Sequence, residues 1–424
     1  CFTAILSKTC IFDVKSYKFL MNRILLLASC LFSAQVYGQI KGCTDPQATN
    51  YNTNAQENDG TCLYKNTFYS PFKLCSKLSD TLQETSGLCY FNGTFWSHND
   101  SDNPPMIFAF DSLNGRITHQ VFIQNANNND WEDITQDKDY IYIGDFGNNS
   151  GTRTNLQILK IKKSDIHMSR FTDTVNAEFI RFSMKEQNDF TDRFINNDFD
   201  MEAFFYLNDS LHLFSKNWVD IQSRHYICPT DTGSYNLTAV ETIDVGGQIS
   251  GATVNADGVV MLVGYTKPSY PCFVWIFWHY KNNRFLSGNR RKIDMGNTLY
   301  PGQTEGITLI GQRAYISNEY KIIQPQLLKM DIARWMDNTN TNEIQDTFVD
   351  RTRVFYLNGQ LKIWSLDLQN GLNIDIYDNT GKKVHTQKVV IDANGNCETI
   401  QIELPDGIYF VKCQKVVLGK IISY

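Results

Sequence analysis

Five stretches of the chain follow one plan, and this internal repeat limits what the chain can fold into. Each stretch begins with a polar residue, continues through Glu or Ser to an apolar residue, turns, and closes with an aromatic-rich strand. The five are ETSGLCYFNGTFWSHND from Glu84, DWEDITQDKDYIYIGDFGNN from Asp130, DMEAFFYLNDSLHLFSKNW from Asp200, QISGATVNADGVVMLVGYT from Gln248 and QTEGITLIGQRAYISNEY from Gln303. A four-stranded antiparallel blade takes about 40–50 residues, so the spacing predicts a β-propeller.

The predicted fold class is all-β. A five- or six-bladed β-propeller occupies residues 65–350, where the long second interval or the stretch after Tyr320 leaves room for a sixth blade. A disulfide-stapled loop module precedes it at residues 42–64, and a small antiparallel β-sandwich follows it at residues 354–424. Aromatic residues make up 13% of the chain and its charge is scattered, which is typical of β-rich extracellular proteins.

The beginning of the sequence predicts export. Met21 is the first methionine, and Arg23 followed by the apolar run ILLLASCLFSA has the pattern of a secretory signal peptide over residues 21–38. Residues 1–20 are then interpreted as an over-called extension. LASC, ending at Cys30, is similar to a lipobox, so lipoprotein processing is the alternative. No later apolar run approaches the roughly 20 residues of a membrane helix, so we expect no transmembrane segment in the mature chain.

Eight cysteines follow the signal peptide. An even number in an oxidising compartment favours disulfides over metal ligation. Sequence spacing leaves the connectivity open. The pairs we expect are Cys43–Cys62, Cys75–Cys89, Cys228–Cys272 and, if LPDG closes a hairpin, Cys397–Cys413.

The segment GCTDPQATNYNTNAQENDGTCLY has no hydrophobic periodicity and cannot make a core of its own. It resembles short modules of secreted Bacteroidota proteins that are similar to thrombospondin type 3 calcium repeats. The resemblance implies oxygen ligands for Ca²⁺, which would be Asp45, Asn50, Asn52, Asn58 and Asp59. The alternative is a stapled spacer in which these residues make Asx turns.

The C-terminal segment carries IYDNTGKKV, LPDGIYFVK and GKIISY in that order. In order, spacing and position these motifs resemble the type A sorting domain of the type IX secretion system. The resemblance implies that the secretion and attachment machinery of the outer membrane is a partner, and that the protein is secreted or attached to the outer cell surface. A carbohydrate-binding sandwich is the alternative.

The repeat also predicts a ring of carboxylates at one mouth of the central channel. Equivalent positions of successive blades face a common axis, and strand alternation directs residues i and i+2 to the same face. Neighbouring carboxylates bind a cation, pair with Arg or Lys, or hold protons. The alternative is that they cap strand starts by accepting backbone N–H bonds. The predicted ring is Glu84, Asp130, Glu132, Asp200, Glu202 and Glu305.

Polar residues also end the second strand of most repeats, and we expect them in the same channel or at its opposite mouth. The most suggestive stretch is GDFGNN, whose glycines allow tight turns while Asp145 and the asparagines present oxygens. The set is His98, Asn99, Asp100, Asp145, Asn148, Asn149, Lys216, Asn217, Asn318 and Glu319.

The D-x-E repeats together with WEDI and YIGDFGNN loosely resemble secreted calcium-dependent propellers, among them phytase-like esterases and lactonase-like proteins. The resemblance implies a Ca²⁺-assisted hydrolase of an ester, phosphoester or lactone, in which a water near Glu132, Asp145 or Glu202 does the attack. One alternative is a non-catalytic surface adhesin or glycan-binding propeller, which would expose the aromatic run at 273–280. Another is a five-bladed glycoside hydrolase with a carboxylate pair.

Other classes find no support in the sequence. No Lys/Arg cluster is present and the net charge is −6, which argues against a nucleic-acid partner. No G-x-S-x-G motif occurs, and His and Cys do not fall at zinc-ligand spacing.

Overall fold

The computed structural model of the chain describes residues 39–267, 271–297, 299–336, 352–357, 359–365, 373–378, 380–390, 400–413 and 416–423. The predicted extension and signal peptide at residues 1–38 lie outside these ranges. Regular structure in the described residues is nearly all strand. Four 3-10 turns interrupt it, at Asp80–Leu82, Lys163–Asp165, Phe285–Ser287 and Ala333–Trp335. None of the helical segments in the described part of the chain has the length and apolar character needed to cross a bilayer.

The N-terminal module is a loop with two short parallel strands, β1 (Lys41–Gly42) and β2 (Glu57–Asn58). The predicted Cys43–Cys62 disulfide is present, and both cysteines are buried with Ala48. The module packs on the propeller rather than hanging free: Asn58 Nδ2 donates to Asn289 Oδ1 at 2.6 Å, and Lys281 Nζ pairs with Glu57 Oε1 at 2.8 Å.

Five sheets of four or five strands follow, and each is one blade of a β-propeller. The early strands are β3 (Thr67–Phe68), β4 (Phe72–Cys75), β5 (Thr85–Phe91), β6 (Thr94–Asn99), β7 (Met106–Phe110), β8 (Ile117–Ile123), β9 (Trp131–Gln136), β10 (Tyr140–Asp145), β11 (Gln157–Lys162), β12 (Thr172–Val175) and β13 (Glu178–Met184). The later ones are β14 (Asp200–Leu207), β15 (Ser210–Lys216), β16 (Ser223–Pro229), β17 (Gly233–Leu237), β18 (Glu241–Ile243), β19 (Gln248–Val254), β20 (Val260–Tyr265), β21 (Pro271–Trp278), β22 (Asn289–Asn297), β23 (Gln303–Ile310), β24 (Arg313–Glu319) and β25 (Leu327–Asp331).

The blades follow the predicted repeat. Blade 1 has the order β5-β6-β7-β8-β12, blade 2 β9-β10-β11-β13-β17, blade 3 β14-β15-β16-β18, blade 4 β19-β20-β21-β22-β3 and blade 5 β23-β24-β25-β4. The innermost strands β5, β9, β14, β19 and β23 contact one another in a closed ring. Strand β4 comes before the first blade in sequence and pairs antiparallel with β25 of the last blade. The segment that precedes blade 1 therefore closes the ring of blades.

The prediction of five or six blades resolves to five among the described residues. The long interval between Asp130 and Asp200 holds β12, which joins blade 1, and three further strands of blade 2 in addition to β9. A loop from Lys185 to Phe199 fills the remainder. The extra length therefore extends two blades and builds a loop, rather than adding a sixth blade.

Apolar layers between neighbouring blades hold the propeller together. Each of five core clusters joins side chains of two adjacent blades, so blade interiors are apolar on both faces. The aromatic run at 273–280 shows this well. Its Phe277 packs toward blade 3 and its Trp278 toward blade 5, and both are buried. Residues 273–278 of this run are therefore a largely buried interior strand and not an exposed aromatic surface, and the exposed residue of the run is His279.

Two of the predicted disulfides are wrong, because the cysteines point into different apolar layers. Cys75 lies between blades 5 and 1, whereas Cys89 lies between blades 1 and 2. Cys228 lies between blades 2 and 3, whereas Cys272 lies between blades 4 and 5. Cys75, Cys89 and Cys228 are accordingly buried thiols outside any disulfide.

The C-terminal segment forms the predicted sandwich of two antiparallel sheets. Its strands are β26 (Thr352–Leu357), β27 (Gln360–Ser365), β28 (Asn373–Asp378), β29 (Lys383–Lys388), β30 (Ile400–Gln401), β31 (Gly407–Cys413) and β32 (Val416–Ser423). One sheet has the order β26-β27-β30 and the other β29-β28-β31-β32. LPDG connects β30 to β31 and so crosses between the sheets instead of closing a hairpin. Cys413 is buried in the core, and its predicted partner Cys397 lies outside the described residues.

Candidate functional site

All five innermost strands carry a β-bulge where the repeat places Glu or Ser. The pairing register shifts between Thr85 and Leu88, Trp131 and Ile134, Met201 and Ala203, Ile249 and Gly251, and Thr304 and Ile307. A bulge turns the extra residue away from regular alternation and is common next to functional sites. The repeat therefore specifies a local backbone irregularity as well as a side chain.

A cavity of about 320 Å³ lies on the propeller axis, lined by residues from all five blades. Six carboxylates and three ammonium groups face it. They are Glu84, Asp100, Glu132, Glu202, Glu305 and Glu319, with Lys216, Lys267 and Lys321. The carboxylates outnumber the ammonium groups, so the cavity is acidic. Four of the six predicted ring residues line it: Glu84, Glu132, Glu202 and Glu305.

Asp100, Asp130 and Glu132 form the tightest acidic group, called here the carboxylate triad. Each offers an oxygen that lies within 4.8 Å of the other two. Ser101 N donates to Asp100 Oδ1 at 2.5 Å, but among the described residues no hydrogen bond reaches the carboxylates of Asp130 or Glu132. Glu132 is only 4% exposed. A buried carboxylate with no donor nearby is costly, so the triad is suited to take up a proton or a cation.

The pKa values in the triad reflect this crowding. Burial, followed by the charges of Asp100 and Asp200, raises the pKa of Asp130 to about 7. Burial also raises the pKa of Glu132 well above its usual range, and the neighbouring carboxylates of Glu202, Asp100 and Asp130 add to the effect. Burial raises the pKa of Asp100, and the hydrogen bond from the Ser101 N–H lowers it part of the way back.

Ser86 and Ser250, which stand where other blades have Glu, do not take part in the acidic group. Ser86 Oγ donates to the backbone carbonyl of Glu132 at 2.5 Å, and Ser250 Oγ donates to that of Thr304 at 2.7 Å. Each serine thus ties its bulge to the innermost strand of the next blade. The Glu and Ser versions of the repeat therefore differ in role: the serine hydroxyls bond to the next blade, and the glutamates present carboxylates to the cavity.

Asp200 and Asp145 are held in the wall and do not line the cavity. Asp200 accepts from Asn148 N at 2.6 Å and from Trp218 Nε1 at 2.8 Å. Alternation predicts that Asp200 and Glu202 share a face, but the bulge at Glu202 separates them.

Asp145, the third predicted catalytic residue, is fully buried. Its oxygens accept from Asn129 Nδ2, Gln157 Nε2, Asp130 N and Arg153 Nη2, the last at 2.9 Å. This network fixes the backbone from which Asp130 and Glu132 project.

Glu202 reaches the cavity as half of a buried ion pair. Its Oε1 lies 2.9 Å from Lys216 Nζ, and both side chains are less than 10% exposed. Burial raises the pKa of Glu202 and the Lys216 charge opposes that rise. Burial alone would lower the pKa of Lys216, but Glu202 and the other acidic groups hold it above its usual range, so Lys216 carries its charge.

Glu305 lies on the blade 5 side of the cavity, next to Glu319. One amide group serves both, because Gln303 Nε2 donates to Glu305 Oε1 at 2.7 Å and to Glu319 Oε2 at 2.8 Å. Burial raises the pKa of Glu305 to about 8. Lys321 Nζ lies 2.9 Å from Glu319 Oε1, so Glu319 has a cationic partner at ion-pair distance.

Asp45 and Asp59 are far from this arrangement in the chain and already make local hydrogen bonds. Asp45 accepts from Gln47 N at 2.8 Å and from Tyr64 Oη at 2.6 Å. Asp59 accepts from the backbone and hydroxyl of Thr61. These are Asx-type turns, as the spacer interpretation of the module expects. Calcium binding by the module remains a prediction.

Sequence patterns pointed to some cavity residues only loosely. Asp100, Lys216 and Glu319 belong to the polar strand ends noted in the sequence, and all three face the cavity. Trp218, Tyr265 and Lys267 were missed. They follow or end the second strands of blades 3 and 4, so comparing the residues just after each second strand could have found them.

Residues 357–422 match the family model of the secretion system C-terminal sorting domain. The match covers the sandwich from the end of β26 onward and confirms the predicted sorting domain. A search of curated proteins finds no sequence match.

Solved structures resemble the chain weakly. An exo-beta-1,3-galactanase from Phanerochaete chrysosporium gives a TM-score of 0.40 at 10% identity, covering 82% of this chain and 95% of that one. A gluconolactonase from Xanthomonas campestris gives 0.32 at 11% identity, covering 63% and 97%. A putative glycoside hydrolase from Parabacteroides distasonis gives 0.33 at 10% identity, covering 61% and 92%. Such scores carry no argument about activity.

The fold, the sorting domain and the described residues together support one conclusion about the chain as a whole. It is a five-bladed β-propeller protein with a secretion-system C-terminal sorting domain, and it is secreted or held at the cell surface.

Proposed function

We propose that the central cavity binds a divalent cation, Ca²⁺ in the first instance, at the carboxylate triad, and that the site hydrolyses an ester or phosphoester. The observation that carries the proposal is the approach of Asp100, Asp130 and Glu132 to within 4.8 Å, with Glu132 buried and the two aspartates partly buried, where hydrogen-bond donors are scarce. Carboxylate oxygens are the ligands that Ca²⁺ prefers.

Electrostatics favours a cation here over three bare charges. Two unit charges 4.8 Å apart repel by about 3 kcal/mol at an effective dielectric of 20. Three such charges must be relieved by protons or by a positive ion. No Arg or Lys forms an ion pair with any of the three in the described part of the chain, so the triad is available to an ion.

The surrounding residues supply the other functions that hydrolysis needs. A bound cation would contribute Lewis acidity and lower the pKa of a bound water. Glu305 holds a proton at its carboxyl group near neutral pH and is suited to pass it to a leaving group. The Lys216 ammonium, positioned by Glu202, presents positive charge to the same cavity.

The proposal revises the residue roles expected from the sequence. Glu132 becomes a cation ligand and Glu202 positions Lys216. Asp145, which is enclosed by four hydrogen bonds, has no catalytic role in the proposal, and Glu305 becomes the proton donor. A glycan-binding surface at residues 273–280 is not proposed, because that strand is interior.

Calorimetric titration of the purified protein with Ca²⁺ tests the cation site. Glu132→Gln removes one negative ligand from the triad with little change in volume, and Glu178→Gln, on an exposed strand position, is the matched control. We expect the wild type and Glu178→Gln to bind alike, and Glu132→Gln to lose the cavity component. Any Ca²⁺ bound by the N-terminal module remains in all three proteins. Equal titrations of all three would refute the site.

A substrate screen tests the catalytic half of the proposal. Esters, phosphoesters and glycosides are offered with Ca²⁺ and with a chelator. We expect turnover of an ester or phosphoester that a chelator and Glu132→Gln both abolish. Turnover indifferent to both changes would contradict it, and turnover of glycosides alone would assign the carboxylates to glycoside hydrolysis instead.

A further inference from the structure

The indole ring of Trp218 packs against two ammonium groups in the cavity wall. Lys267 Nζ lies 4.0 Å from the ring centroid and Lys216 Nζ lies 5.0 Å from it. Trp218 Nε1 donates to Asp200 Oδ2 at 2.8 Å, which fixes the orientation of the ring. All three side chains line the cavity. Two positive charges are therefore held at one rigid aromatic surface.

Of these two ammonium groups, only that of Lys216 has an acidic partner in the described residues. Lys216 pairs with Glu202 at 2.9 Å, whereas Lys267 forms no ion pair within the described ranges. Burial lowers the pKa of Lys267, and the nearby charge of Lys216 lowers it further. An ammonium group has three donors, and the ring accepts only a weak electrostatic contact. Lys267 thus presents unused donors to the cavity.

The carboxylate triad and the two lysines at Trp218 come from different blades. Asp100, Asp130 and Glu132 belong to blades 1 and 2, whereas Lys216 ends the second strand of blade 3 and Lys267 follows the second strand of blade 4. A ligand in the cavity therefore meets Asp100 and Glu132 of the triad from blades 1 and 2, and two ammonium groups from blades 3 and 4. The arrangement suits a molecule with an anionic group placed away from the group held at the triad.

We propose that Lys216, Lys267 and Trp218 form a subsite for an anionic oxygen group of the ligand, either a carboxylate or a phosphate. The substrate class that follows from this subsite, an anionic ester, rests on the proposed function. The binding of an anion at the subsite does not depend on that function, because it is argued from the two lysines alone.

Calorimetric titration with inorganic phosphate and with acetate tests the subsite, with glycerol as the uncharged probe. The titrations are made with a chelator present and repeated with Ca²⁺ below the concentration at which calcium phosphate precipitates. Lys267→Met removes the ammonium group and keeps most of the apolar stem. Lys138→Met, at an exposed position that makes no ion pair in the described part of the chain, is the control.

We expect one or both anions, but not glycerol, to bind the wild type and Lys138→Met equally. Binding to Lys267→Met should be weaker by about tenfold or more, the effect of losing one hydrogen bond to a charged group. Binding of phosphate alone assigns a phosphorylated ligand, and binding of acetate assigns a carboxylate. The proposal fails if neither anion binds, or if Lys267→Met binds as well as the wild type.

The outcomes separate the two proposals. Anion binding that depends on Lys267 without any Ca²⁺ binding at the triad would keep the subsite and reject the cation site. Ca²⁺ binding that depends on Glu132 without anion binding would keep the cation site and reject the subsite.

Discussion

Gly147 lies directly against the carboxylate of Glu132. A Cβ on Gly147 would overlap Glu132 Oε1 and also the carboxylate of Asp130. Gly147 N donates to the backbone carbonyl of Asp130 at 3.2 Å, which holds the two segments in contact. The second glycine of GDFGNN therefore creates the space that two of the three triad carboxylates occupy.

Gly147→Ala should displace the triad without removing any ligand. Gly147 is not in the left-handed region, so an alanine there meets steric overlap rather than backbone strain. We expect Ca²⁺ binding in the cavity to be lost or strongly weakened in calorimetry, while circular dichroism shows the fold retained. Gly407→Ala, where a Cβ meets nothing closer than 3.5 Å, is the control. Unchanged Ca²⁺ affinity in Gly147→Ala would show that the triad is not the ligand set.

Stabilisation by Ca²⁺ should increase with pH. The pKa of Asp130 is raised to about 7 and that of Glu305 to about 8, from ordinary values of 3.8 and 4.5. The folded state then holds protons that the unfolded state has released. Without the ion, this contribution to stability is full below about pH 4 and is lost as pH rises toward 8.

A bound cation relieves the same repulsion, so the rise in Tm on adding Ca²⁺ should be small at pH 5 and large at pH 8. Differential scanning fluorimetry with and without Ca²⁺ measures this, and the comparison at each pH cancels the effects of titratable groups that do not contact the ion. In Glu132→Gln, the rise in Tm on adding Ca²⁺ should change less between pH 5 and pH 8 than in the wild type. A Ca²⁺ effect that is constant with pH, or greater in acid, would count against the triad.

Lys216→Met should destabilise the fold through Glu202. The substitution leaves a buried carboxylate without its partner, which costs about 3–5 kcal/mol for a broken buried pair. Adding Glu202→Gln should recover part of that loss, because a neutral amide is less costly to bury. Urea denaturation of the single and double variants gives the coupling. Additive effects of the two substitutions would mean that the pair is not coupled.

Reduction of Cys43–Cys62 should lower the stability of the propeller as well as that of the module. The bridge spans 19 residues, and a loop of about that length is worth about 3 kcal/mol of stabilisation. The module contacts blade 4 through Asn58 and Glu57, and β3, which follows it directly, is a strand of that blade.

Urea denaturation with and without dithiothreitol measures the effect. Cys75, Cys89 and Cys228 are outside any disulfide, so the reductant acts on one known bridge in this part of the chain. A single transition that moves to lower urea is the expected result. Two transitions, with the propeller midpoint unchanged, would show that the module folds independently.

The β-propeller was predictable from the sequence because each repeat corresponds to one blade. The starts of the five stretches coincide with, or immediately precede, the five innermost strands. Of the disulfides, Cys43–Cys62 was predicted correctly, whereas Cys75–Cys89 and Cys228–Cys272 were predicted wrongly. Blade interiors are apolar on both faces, so cysteines close in sequence can point into different layers, as Cys75 and Cys89 do.

The site was predictable in its acidity but not in its arrangement. Strand alternation predicts that Asp200 and Glu202 share one face of β14. A β-bulge at Glu202, which alternation does not reveal, places them on different faces. Asp133 escaped notice for a related reason. It is fully buried and accepts from Ile134 N, Phe204 N and Ala252 N, which belong to blades 2, 3 and 4. Only the closed ring brings those three donors to one carboxylate.

The most direct test of the central claim is an anomalous difference map from crystals soaked in a lanthanide or Mn²⁺ salt, which replace Ca²⁺ and scatter anomalously. The account predicts a peak about 2.3–2.6 Å from carboxylate oxygens of Asp100, Asp130 and Glu132, as for Ca²⁺ ligands. A map with no peak at these three residues, or with peaks only in the N-terminal module, would contradict it.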